Sequence, residues 1–183
     1  MSTVAPTLLT ADEFAALPDL GPCELVKGRI VDMPPPKQQH GYVCANVSHV
    51  LNLWIKEHRL GRVFSNDSGV ITERDPDTIR GADAAFYSYA KIPPGILPNR
   101  YPDVSPDLVI EVRSPDDRWS VIFKKVAEYL DAGVGVVCVV DPISQTVHVI
   151  RPDCVPEVID EDHDWTLPDV LGDFRVPVRT LFE

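Results

Sequence analysis

Two carboxylates stand where a carboxylate is costly. Asp83 lies in Gly81-Ala82-Asp83-Ala84-Ala85-Phe86, an otherwise uncharged segment, and Glu111 lies in Leu108-Val109-Ile110-Glu111-Val112, flanked by β-branched residues. An unpaired carboxylate carried into an apolar interior costs several kcal/mol or takes up a proton, so each needs a partner. A shared hard cation satisfies both, because Mg²⁺ is commonly held by one or two carboxylates together with water and substrate phosphate. The plainer alternative is that each acid faces solvent or an arginine. No P-loop, dinucleotide fingerprint or nucleophile-elbow serine competes with this chemistry.

The elements that must position these acids follow from periodicity. Thr10-Ala11-Asp12-Glu13 fits a capping box opening a short helix through Phe14 and Leu17. Residues 23–26 and 29–33 read as a hairpin turning at Lys27-Gly28, stopped by Pro34-Pro35-Pro36. Val43, Val47, Val50, Leu51, Trp54 and Ile55 recur at three- and four-residue spacing, which predicts a helix over 40–58. Extended segments follow at 63–73, 79–87 and 108–113, the last two separated by a proline-rich loop over 93–106, long enough to suggest a function of its own. Ser114-Pro115-Asp116-Asp117 has the composition of a helix start, and the helix behind it is expected to bury Trp119, Ile122, Phe123, Val126, Tyr129 and Leu130 and to end at Gly133. Strands are predicted over 134–140 and 146–151, and the remainder reads as acidic and irregular.

From residue 40 to 140 the order is thus αβββαβ. This is an α/β (α+β) domain: a mixed central sheet flanked by helices, its last strand reached by a helical crossover and parallel to its neighbour. The 183 residues suit a single domain, 1–183, with its core at about 40–151.

These residues resemble the bacterial Uma-two family. The resemblance rests on Pro106-Asp107-Leu108-Val109-Ile110-Glu111-Val112, on Ser114-Pro115-Asp116-Asp117-Arg118, and on Lys125 and Tyr129 ahead of Gly133-Val134. Upstream, Glu24-Leu25-Val26-Lys27-Gly28 and His40-Gly41 are similar to that family's entry segment and first core helix. The resemblance implies a restriction-endonuclease-like fold of the PD-(D/E)XK class and a metal-dependent endonuclease acting on DNA. In it Asp83 and Glu111 hold Mg²⁺ or Mn²⁺, and a lysine neutralises developing charge. Two positions depart from the pattern: Ala82 replaces the proline before Asp83, and Arg113 stands where the strand lysine belongs. Arginine stays protonated and makes a poor base. Lys125, matched by its spacing to Tyr129, is the replacement, expected about 10 residues and roughly 15 Å into its helix. Lys124, about 100° away around the helix, is the control. Glu24 is a candidate further acid, and His40 a candidate contact to phosphate or to a metal-bound water. Asp107 is the lesser claimant to the aspartate role.

Composition sets the competing readings. Hydrophobic residues are 44% and charged residues 25%, an ordinary globular mix, and no apolar run reaches membrane-spanning length. With no signal-peptide pattern in residues 1–6, a cytoplasmic protein is expected. Cys23, Cys44, Cys138 and Cys154 form no CxxC pair, so neither a disulfide framework nor a structural zinc site is expected. The 17 basic against 28 acidic residues give a net charge of −11, which runs against phosphate binding. Weak, salt-dependent DNA binding through a local patch of Arg113, Arg118, Lys124 and Lys125 is expected, with a homodimer merging two such patches. Against the endonuclease stand a nuclease-fold module for binding or assembly with little turnover, and a related enzyme whose substrate is not duplex DNA. The stretch Asp160-Glu161-Asp162-His163-Asp164 lacks calcium-loop spacing and reads as a solvated loop.

Overall fold

The computed structural model describes residues 8–18 and 20–183. Residues 1–6, read above for a signal peptide, lie outside them. The chain opens with helix α1 (Ala11–Ala15), which carries the full capping box: Glu13 N–H donates to Thr10 Oγ1 (3.2 Å) and Thr10 N–H to Glu13 Oε2 (2.8 Å). A hairpin of β1 (Cys23–Val26) and β2 (Arg29–Asp32) follows. Its turn places Lys27 and Gly28 at φ 50° and 72°. Gly28 is doubly required, since a Cβ there would meet Leu8 Cβ at 2.6 Å.

Helix α2 (Gln38–Glu57) buries Val43, Val47, Leu51 and Ile55, a four-residue repeat that gives a single face. Strands β3 (Gly61–Glu73) and β4 (Thr78–Ser88) pair antiparallel along their lengths, and β5 (Leu108–Val112) follows the proline-rich loop. Helix α3 (Trp119–Asp131) crosses to β6 (Val136–Asp141), parallel to β5 as the crossover requires, and β7 (Thr146–Ile150) returns antiparallel. The predicted αβββαβ order is the observed one.

Two expectations fail. The 114–117 segment does not begin the helix. Asp117 Oδ2 accepts from Ser114 N (2.9 Å), and Arg113 Nη2 donates to Asp117 O (3.1 Å), so the supposed cap closes a separate turn. Helix α3 therefore starts at Trp119, with Ile122, Val126 and Tyr129 buried, Trp119 and Leu130 partly buried, and Phe123 exposed. Nor is the segment after residue 151 irregular. It holds β8 (Glu157–Ile159), β9 (Asp164–Thr166), α4 (Pro168–Leu171), β10 (Arg175–Pro177) and a 3₁₀ turn at Val178–Leu181. Two of its acids are tied to arginines, Asp162 to Arg179 (2.7 Å) and Asp164 to Arg175 (2.8 Å). Its apolar residues Trp165, Leu167, Leu171, Phe174, Val178 and Leu181 enter the core.

The main sheet runs β2-β1-β4-β5-β6-β7-β8, with β3 on the other side of β4. One core lies between the sheet and α2 and includes that C-terminal segment, a second lies between the sheet and α3, and a third, smaller one joins Ala11 and Phe14 of α1 to Leu25 and Ile79. What positions the site is a fork in β4. The start of β4 pairs with β1 at Leu25–Ile79, and its end pairs with β5 from Phe86–Leu108 to Ala84–Ile110. One register step past that last pair, Asp83 falls opposite Glu111. On the β3 side, Asn66 and Asp67 form a bulge facing Asp83, between the pairs Ser65–Ala84 and Ser68–Ala82. The side-chain alternation slips there: Ala82 and Ala85, three apart, both pack toward α3.

Candidate active site

The slip turns Asp83 toward α2. Its Oδ2 accepts from Val112 N–H (2.6 Å), and its Oδ1 lies 3.4 Å from His40 Nε2 and 3.4 Å from Cys44 Sγ, both on the first turns of α2. Asp83 is 9% exposed. His40 is held above its ordinary pKa chiefly by its hydrogen bond to Asp83, against the opposing effect of burial. Burial, with Asp83 adding its negative charge, raises the Cys44 thiol far above its ordinary value.

Glu111 makes its hydrogen bonds with α3, close enough to Asp83 for that carboxylate's charge to act on it. Tyr129 OH donates to Oε1 (2.7 Å) and Lys125 Nζ to Oε2 (3.3 Å). Burial pushes the Glu111 carboxyl up to about 7; Lys125 opposes that and the negative charge of Asp83 reinforces it. Lys125 Nζ also lies 3.2 Å from Glu24 Oε1. Burial acts against its charge, but Glu111 and Glu24 outweigh it and hold the ammonium above its ordinary pKa. Because α3 starts late, Lys125 sits only roughly 9 Å along the helix, not 15 Å. A helical side chain leans toward the helix N-terminus, which brings the ammonium over the end of β5. Lys124 is exposed and sits 4.0 Å from Glu128.

Glu24 anchors a second layer. Its carboxylate accepts from Arg80 Nη1 (2.7 Å) and Gly81 N–H (3.1 Å), and Arg80 bonds Glu128 through Nε (2.6 Å) and Nη2 (3.1 Å). The five sequence-selected residues Glu24, His40, Asp83, Glu111 and Lys125 thus meet at the β4 fork. Asp107 lies at the far end of β5, accepting from Ser88 N–H (2.7 Å) and paired with Lys91 (3.1 Å), so it braces the strand. Arg113 turns off to Asp141 (2.9 Å) and over the Trp119 ring (5.0 Å). The expected basic patch is correspondingly thin: Arg113 and Lys125 are paired with buried acids, leaving Lys124 and Arg118 at the surface.

Sequence reasoning missed Cys44, Asp67 and Arg80, and used Tyr129 only as the spacing mark for Lys125. Of the three, Cys44 alone left a signal, its four-residue spacing from His40 on a helix. Asp67, on the bulge, has its carboxyl raised first by burial and then by Asp83. Beside the fork, the proline-rich loop covers β3 and β4 and encloses a cavity of about 610 Å³ lined by Phe64, Ser68, Tyr87 and Tyr101. Where α2 meets the fork, three side chains that could hold a metal ion, His40, Cys44 and Asp83, have donor atoms all within 4.8 Å of one another.

A mixed sheet with this crossover and with acids gathered where a strand forks has the restriction-endonuclease-like architecture of the PD-(D/E)XK class. Within it the chain belongs to the Uma2 family, whose model, described as "Putative restriction endonuclease", matches residues 11–179. A crystal structure from Anabaena variabilis ATCC 29413, described as "a putative nuclease belonging to DUF820", is similar with a TM-score of 0.81 and 27% identity, covering 95% of this chain and 97% of that one. Among curated proteins none matches.

Proposed function

We propose that this chain is an endonuclease that hydrolyses phosphodiester bonds of DNA with Mg²⁺ or Mn²⁺ held by Asp83 and Glu111. The observation that carries this reading is the Lys125 ammonium, 3.3 Å from Glu111 and 3.2 Å from Glu24, delivered by the crossover helix to the strand end where the class requires a lysine. The donors suit a hard cation: Asp83 and Glu111 offer oxygens, and a cation offsets both the burial that chiefly lifts the Glu111 pKa and the smaller contribution of the Asp83 charge. Such an ion, when bound, polarises the scissile phosphate and acidifies a water. Lys125, charged throughout, stabilises negative charge developing on the phosphate oxygens. Tyr129 fixes one Glu111 oxygen, and Val112 N–H fixes one oxygen of Asp83, so neither carboxylate is free to rotate. Arg80 and Glu128 hold Glu24, and so Lys125, from behind.

Calorimetry with Mn²⁺ on wild type and Asp83→Ala, beside a plasmid-cleavage assay, tests the reading. Binding and nicking should both be lost in the variant. Equal Mn²⁺ affinity in the two proteins rejects the metal site. Wild type that binds Mn²⁺ and DNA without cutting makes the chain a binding module.

A further inference from the structure

We infer that His40, Cys44 and Asp83 form a binding site for a thiophilic divalent cation of the Zn²⁺ type, a second mode of the fork that excludes the hard cation. It shares Asp83 with the site proposed above but does not rest on nuclease turnover. The argument is geometric. Zn²⁺ takes sulfur at about 2.3 Å and nitrogen or oxygen at about 2.0–2.2 Å, so neighbouring donors on a tetrahedron stand about 3.4–3.6 Å apart. Here Cys44 Sγ to Asp83 Oδ1 is 3.4 Å, His40 Nε2 to Asp83 Oδ1 is 3.4 Å, and His40 Nε2 to Cys44 Sγ is 4.0 Å. Only the last distance must shorten, by a small ring movement.

The backbone is already set for this arrangement. His40 and Cys44, four apart on α2, project from one face. Asp83 is fixed through its other oxygen by Val112 N–H, leaving Oδ1 for the ion. Three protein donors leave a fourth position open to water. A thiolate and an imidazole favour Zn²⁺ over Mg²⁺, which prefers oxygen. As the metal–sulfur bond forms, the Cys44 Sγ–H proton passes to solvent, with no change in oxidation state.

Co²⁺, which replaces Zn²⁺ and reports thiolate ligation by a charge-transfer band, is the probe. Wild type and a Cys154→Ala control should both show the band. Cys44→Ala should lose it, with Zn²⁺ affinity falling about tenfold or more, while Cys154→Ala keeps the wild-type Zn²⁺ affinity. Excess Zn²⁺ should abolish Mn²⁺ binding to the wild-type protein. Absence of the band in wild type, or its persistence in Cys44→Ala, overturns the inference. The Asp83→Ala experiment with Mn²⁺ judges the endonuclease reading separately.

Discussion

Lys125 is held between two buried carboxylates, so its removal has two separable effects. Lys125→Ala leaves Glu24 and Glu111 without their shared cation, a loss on the order of 3 kcal/mol for breaking a buried pair. On the mechanism proposed above, the variant that remains folded should bind Mn²⁺ but not cut. Lys124→Ala, at an exposed position, should stay within about 0.5 kcal/mol of wild type and keep activity. Urea unfolding and cleavage of the same samples read both, and cleavage by Lys125→Ala at the wild-type rate removes the lysine from the mechanism. Glu111 adds a pH signature to the metal-free protein. Its folded pKa, about 7, lies above the ordinary 4.5. Between those values the folded chain holds a proton that the unfolded chain has released, so stability falls as pH rises from about 4.5 to 7 and levels off above. Glu111→Gln should flatten that slope in urea titrations run in chelator; an unchanged slope assigns it elsewhere. Asp83 and Glu111 were legible because a carboxylate amid β-branched and small residues has few tolerable explanations. Arg80 was not, since an arginine in such a place is ordinary until the fold sets it against an acid, and Tyr129 was legible as a motif position but not as the partner of Glu111.

Between residue and molecule, the elements divide by length. Helix α2 and strands β3 to β7 are long enough to show a period, and their predicted bounds hold within a few residues. The pieces after residue 156 are three or four residues each, too short for any period, and their surface acids mask seven core residues. Trp165 carries the largest share of that cover, fully buried and edge-on to Phe174 at 5.3 Å. Trp165→Ala should cost about 3–5 kcal/mol in urea unfolding, whereas an irregular tail would lose nothing. At the other end, Thr10→Ala removes the side-chain half of the capping box, leaving the Thr10 backbone N–H on Glu13, and should cost about 1 kcal/mol. The false helix start at Ser114 has the same lesson in reverse: capping residues were present, but Arg113 and Asp117 used them to close a turn.

For the whole molecule, a net charge of −11 opposes association with a polyanion, and two of the four cations expected to offset it locally, Arg113 and Lys125, are paired with buried acids. Affinity for a DNA duplex, measured by fluorescence anisotropy between low and physiological salt, should be weak and fall as salt rises; tight binding indifferent to salt contradicts this. No helix among the described residues is long and apolar enough to cross a membrane. The fork in β4 has a mechanical consequence as well. Asp83 reaches into the layer of α2 and Glu111 into the layer of α3, so the two helical layers on opposite faces of the sheet meet at this point. Anything that seats there acts as a rivet through the sheet. An occupant at a hundredfold its dissociation constant raises unfolding free energy by about 2.7 kcal/mol. The melting temperature of the chain is therefore itself a gauge of what the fork is holding.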